Sequence, residues 1–176
     1  MTNSGSESSQ AHKFNRRQLI QATSGAAVLA LLSPRPADAA AGIITTVVGG
    51  GPIGDGGPAT AASLATPFAI GIDGANNVYV SDNYYHRVYS ISSATGILTT
   101  IAGNGYPGSG GDGGVATQAN LHFPYGIAVD RAGNVCIADG NNNKVRWVDR
   151  ATGIITTVAG TGVAGFNGDN QPATSA

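Results

Sequence analysis

GILTTIAGNGYPGSGGDGGVATQANLHFPYGIAVDRAGNVCIADGNNNKVRWVDRAT occupies residues 96–152. It is one complete repeat unit, and nearly everything after residue 42 is another copy of it. Asp55, Asp112 and Asp169 open the same phrase at intervals of 57 residues, and Gly96-Ile97 returns as Gly153-Ile154 at the same interval. An earlier copy starts at Gly42-Ile43, 54 residues before Gly96. The three missing residues fall in the Gly-rich loop before Asp55, where a change of length costs least. Residues 55–95 and 112–152 agree at 17 of 41 positions, and 96–119 and 153–176 at 13 of 24. The agreements lie at turn and core positions, so composition bias is a poor explanation. A fixed period of tens of residues points to a solenoid, a propeller or an array.

Within the second copy, residues 125–130, 134–139, 144–149 and 154–159 are short β-rich runs separated by turns rich in Gly, Asn and Asp. In the first copy the runs are 68–73, 77–82, 87–92 and 97–102. Residues 43–48 have the character of a fourth strand from a preceding unit. Runs of about six residues, each closed by a turn former, predict antiparallel meanders of four strands. Val135-Cys136-Ile137-Ala138 is apolar at every position. A sheet with one wet face would alternate, so this pattern predicts a sheet covered on both faces. Sheets stacked around an axis have that property, and the fold expected is all-β, with β-propeller blades of four antiparallel strands. The units run from about 42 to 95, 96 to 152 and 153 to 176, giving an incomplete propeller of about two blades with flanking partial units. The linker 103–124 is expected to hold a short helix, with Pro58 of the first copy in its first turn and Asp55 or Gly57 near its cap. Leu64 and Leu121 are expected to pin this linker to the core.

The export signal is expected to occupy residues 1–39 and the repeats 40–176. Asn15-Arg16-Arg17-Gln18 precedes the apolar run ATSGAAVLALL, and Ala37-Asp38-Ala39 follows it. A positive start, a short apolar core and an A-x-A site are the parts of a signal peptide cleaved after Ala39. The paired Arg16 and Arg17 resemble a twin-arginine signal, which implies a periplasmic or secreted bacterial protein folded before export. The apolar run is too short for a stable membrane span.

Residues 40–176 carry five basic residues against eight Asp. That balance does not suit phosphate backbones, so no nucleic-acid partner is expected. The single cysteine, Cys136, excludes an internal disulfide and is expected to be a small buried hydrophobe.

No catalytic, cofactor-binding or metal-ligating set emerges from the residue pattern. Calcium needs six to eight oxygens, whereas each GDGG loop holds one Asp, and the third copy reads Gly168-Asp169-Asn170-Gln171. Asp73, Asp130, Asp82 and Asp139 recur at turn starts, as turn-forming carboxylates do. After Ala39 there is no Glu, and only His86 and His122 remain, in different units and different loop types. A two-His, Glu zinc site is therefore excluded within one chain. His86 stands where the next copy has Asn143, and His122 is expected on a surface loop. The favoured contact surface is the turn where the copies differ most: Tyr84, Tyr85, His86 and Arg87, with Asn142 and Lys144 in the matching turn.

Pro67…Ile70…Asp73…Asn77-Val78-Tyr79-Val80-Ser81-Asp82…His86-Arg87-Val88 and its counterpart from Pro124 to Arg146 resemble NHL repeats. The joining phrases GIITTVAG and GDGGPAT resemble the variety found in large bacterial exported proteins and in the propeller of teneurins. The resemblance implies a propeller that binds proteins, glycans or RNA; a few relatives are lyases, and similarly folded lactonases are metal hydrolases. The expected function is a non-catalytic exported scaffold that binds protein or glycan through its blade-end loops, with no cofactor. Two alternatives stay open: a fragment of a propeller lyase or hydrolase whose active site lies in blades absent from this chain, and a purely structural cell-surface repeat. Closed propellers need at least four blades, so two stacked sheets would leave two apolar faces open. The expectation is either a truncated product or self-association of several copies through those faces.

Overall fold

The computed structural model describes residues 46–49, 54–166 and 168–176. The predicted export signal, with Arg16, Arg17, Ala37 and Ala39, lies outside the described residues, as do residues 43–45. Among the described residues there are eight strands: β1 Pro67–Ile72, β2 Val78–Asp82, β3 Arg87–Ile91, β4 Leu98–Ala102, β5 Pro124–Val129, β6 Val135–Asp139, β7 Lys144–Val148 and β8 Ile155–Ala159. They form two antiparallel sheets in the order β1-β2-β3-β4 and β5-β6-β7-β8. Every strand lies within a residue or so of its sequence expectation.

The two sheets are copies in detail. Tyr79 pairs with Ser90 on β3 as Cys136 pairs with Trp147 on β7. Irregularities fall at matching places, between Val88 and Tyr89 in one sheet and between Val145 and Arg146 in the other. Asp73 accepts the amides of Ala75 and Asn77, each at 2.9 Å, and Asp130 accepts those of Ala132 and Asn134, also at 2.9 Å. These are side-chain-built turns, the role expected of both carboxylates.

The linker contains single 3-10 turns, Ala59–Ala61, Ala116–Gln118 and Ala173–Ser175, where a short helix was expected. Pro58 is itself the first turn's cap, with no side-chain cap bond. Asp55 instead accepts the amide of Thr100 on β4. The linker spends its backbone groups on the sheets. Gly56 N–H donates to the Leu98 carbonyl at 2.8 Å, and Gly113 N–H to that of Ile155 at 2.7 Å. Pro58 bridges to Ile97 and Val115 to Ile154. Each linker thereby covers the outer strand of the blade it enters and blunts an edge that would otherwise invite pairing.

One cluster fills the space between the blades. Tyr79, Val88 and Ala102 of the first sheet meet Val135, Ile137, Val148 and Ile155 of the second, with Leu121 buried among them. At β1 and β5 the approach is so close that a Cβ on Gly71 would stand 2.6 Å from Val129 Cγ2. The second cluster lies on the other face of the first sheet, where Val78, Val80, Tyr89 and Ile91 are covered by Ala59 and Ala62, with Leu64 packed against them.

Coverage on both faces holds for β2, where all five residues are buried. It does not hold for β6, whose Cys136 is only half-buried and whose Ala138 is exposed. Both side chains point to the face of the second sheet that meets no other blade among the described residues. The expectation of a buried Cys136 is corrected for that reason.

Candidate contact surface at the blade-end turns

Asp82 ends β2 and is fully buried. Its carboxylate accepts the amides of Ala65 at 2.8 Å, Thr66 at 3.2 Å and Tyr85 at 3.1 Å. Asp139 at the end of β6 accepts the His122 amide at 2.7 Å, Asn142 Nδ2 at 2.7 Å and Arg146 Nη1 at 3.3 Å. These carboxylates tie the incoming linker to the turn after the second strand of each blade. Their lone pairs serve the fold.

Each turn then passes through one left-handed residue, His86 or Asn143, both at φ 51°. Asn and His are among the non-glycine residues that enter that region most readily. Tyr84 is 67% exposed and Tyr85 36%, and their rings meet edge to face with centroids 5.6 Å apart. They are the large side chains that this turn offers to solvent.

The other four residues expected at the contact surface serve the interior or lie half-covered. His86 is buried. Arg87 donates from Nη2 to the Asn104 carbonyl at 3.2 Å. Asn142 is buried, donating to Asp139 and, at 2.6 Å, to the Gly108 carbonyl. Lys144 is half-buried beside Gly162. Tyr84 and Tyr85 thus remain from that set as freely presented contact groups.

Two further expectations change. His86 and His122 are not in separate surroundings: their rings meet with centroids 5.6 Å apart, because stacking places the turn of one blade against the linker entering the next. His122 is half-buried, not a surface residue. Among the described residues, no group of three or more His, Cys, Asp or Glu side chains is arranged to hold a metal ion. No helix of the described residues is long and apolar enough to cross a membrane.

Sequence reasoning passed over Arg146. Its side chain is fully buried and reaches Asp139 and Asp112, at 3.3 Å each. The available signal was its place in β7, where the first copy has Tyr89: a charge inside an apolar run must find a partner. An aromatic row was also missed. Phe68 meets Tyr125 at 5.2 Å, and Tyr125 stacks on Phe123 at 6.4 Å.

The turn carboxylates are held ionised. Burial works to raise the Asp73 pKa, but hydrogen bonds from Asn77, Tyr79 and Ala75 outweigh it and leave the group below its ordinary value. Asp130 is likewise lowered, first by the side chain of Asn134 and then by backbone amides.

The family model for the teneurin NHL domain matches residues 105–175. NHL repeat-containing protein 2 of Gallus gallus is 30% identical over 119 residues, covering 64% of this chain and 16% of that protein. Teneurin-3 of Mus musculus is 38% identical over 96 residues, covering 48% of this chain and 3% of that protein. The chain therefore spans a small part of the length of the curated relatives it matches. A solved structure of a protein of unknown function from Bacteroides thetaiotaomicron is 30% identical, with a TM-score of 0.41 over 48% of this chain and 21% of that one. The family model over residues 105–175 and the repeat's own register agree: the repeats of this chain are of the NHL type, and its two four-stranded antiparallel meanders have the form of β-propeller blades.

Proposed function

We propose that this chain is a non-catalytic, extracytoplasmic propeller scaffold that binds protein or glycan through its blade-end turns. The observation that carries the reading is the pair Tyr84 and Tyr85, exposed on a turn whose backbone is held by the buried Asp82. Exposed tyrosines on a rigid support present contact area at low entropic cost. The non-catalytic part draws support from the carboxylates, since Asp73, Asp82, Asp130 and Asp139 all accept hydrogen bonds that build turns.

Tyr84→Ala with Tyr85→Ala, screened on a glycan array and against extracytoplasmic protein fractions, tests the surface. Binding should fall at least tenfold, about 1.4 kcal/mol, with the unfolding midpoint unchanged. Undiminished binding would remove this turn from consideration. Export is tested separately by the mass of the mature chain, which should begin at Ala40.

A second reading, self-association through the open blade faces, is favoured by Ile70 and Ile72, which are 64% and 42% exposed on β1. Sedimentation distinguishes the two states: a defined oligomer supports assembly of copies, and a monomer opposes it.

A further inference from the structure

We propose that His86 is a proton-sensitive latch between the two blades, closed when its ring is neutral and released when it is protonated. The latch is a single hydrogen bond across the blade junction. Phe123 N–H, on the linker entering the second blade, donates to His86 Nδ1 on the turn of the first, at 3.2 Å. Phe123 lies at φ 53° and His86 at φ 51°, so both partners of the bond sit in the left-handed region, which is uncommon for a residue such as Phe.

The matching position in the first blade shows why the bond crosses. There Thr66 N–H donates within its own blade, to Asp82 Oδ1 at 3.2 Å, and Thr66 does not have a positive φ. In the second blade Asp139 is already taken by Asn142, Arg146 and the His122 amide. The Phe123 amide turns to the neighbouring blade instead. Meanwhile the Phe123 carbonyl accepts from Gly140 at 3.3 Å and that of His122 from Asn141 at 3.1 Å, so this segment is anchored to the second blade. His86 joins it to the first at Phe123, two residues before the bond that Ser81 Oγ donates to the Tyr125 carbonyl at 3.0 Å.

An imidazole can accept at Nδ1 only while that nitrogen has no proton. Protonation puts a donor against the Phe123 amide and a positive ring beside His122. The charged groups facing the ring are few. His122 on the linker opposes the imidazolium, while Asp139 at the end of β6 and Asp82 at the end of β2 favour it. One guanidinium stands by those carboxylates, Arg146 on Asp139, while Arg87, opposite Asp82 in the ladder, turns its guanidinium to the Asn104 carbonyl. Burial first and His122 second outweigh the carboxylates and keep the His86 pKa below its ordinary 6.5. A lowered histidine contributes stability that is fully present above 6.5 and is lost as pH falls through the folded-state value. Acidification therefore loosens the junction beside the turn that carries Tyr84 and Tyr85.

Amide hydrogen exchange on the full chain, corrected for intrinsic rate, tests this between pH 7.5 and 5.0. Phe123 should lose roughly fivefold protection, the size expected for one hydrogen bond, while the amides of the central strand β2 keep theirs. His86→Asn places at this φ the residue that the second blade uses there. It should leave the Phe123 amide weakly protected and insensitive to pH, and His122→Asn should move the midpoint upward. If His86→Asn does not fold, the native chain still decides: ring titration of His86 by NMR and the loss of Phe123 protection must share one midpoint. Phe123 protection that is flat with pH, a drop that survives in His86→Asn, separate midpoints, or a simultaneous loss across β2 would each overturn the latch.

Discussion

The two blades share a ladder, a turn plan and a linker, yet they differ in what covers them. Ile127 and Val129 of the second blade are half-buried against the first, whereas the matching Ile70 and Ile72 of the first blade are exposed. On the opposite face the order reverses: Tyr79 and Ser81 are buried at the junction, and Cys136 and Ala138 at the same places in the second blade are not. A blade of this kind does not own a core. Each face gains its stabilisation, on the order of 1.5–3 kcal/mol for each large aliphatic side chain fully covered, from whichever element lies against it.

The blades also solve one position differently. Tyr89 in the first is a buried aromatic, its pKa raised by burial and moderated by Arg87. Arg146 in the second is a buried cation held by two carboxylates. Truncating Arg146→Ala takes the cation from the buried Asp139, which keeps Asn142 and the His122 amide, and should cost about 3 kcal/mol in urea unfolding. Tyr89→Phe in the first blade keeps the packing and should cost far less. Equal losses would show that the ion network is not what distinguishes the blades.

A smaller contrast should separate matching isoleucines. Ile127→Ala removes a side chain from the junction and should cost about 2 kcal/mol. Ile70→Ala should leave stability within about 0.5 kcal/mol and raise the monomer fraction in sedimentation. A large loss at Ile70 would mean that its face is covered in solution.

The smallest effect concerns the turns, where the blades should behave alike. Asp73 and Asp130 both lie below the ordinary carboxylate value of 3.8. A lowered carboxylate contributes stability that is present above its unfolded pKa and lost as pH falls through the folded one. Acid unfolding should therefore begin below about pH 3.8, and Asp73→Asn and Asp130→Asn should each flatten that limb. A difference between the two variants would reveal that the turns are not equivalent.

Much of this was legible from the repeat. Turn formers at matching offsets placed all eight strands, and Leu121 was recognisable as the residue that anchors the linker because it recurs at Leu64. The contact turn was legible only in part. Its sequence picks out six residues of contact-prone type, but the burial of His86 and Asn142 depends on what packs beside the turn. His86 and His122 belong to different copies, and no local pattern signals that they meet. Arg146 broke the apolar run, yet its partners, Asp112 and Asp139, lie in a linker and on another strand.

The sequence by itself determined the period, the strands, the side-chain-built turns and the NHL character, because each depends on residues a few positions apart. Only the tertiary structure decided which faces are covered, which carboxylates hold a buried guanidinium and where a histidine joins two blades. Those features depend on elements brought together by stacking, and the same local sequence is buried or bare according to its neighbour.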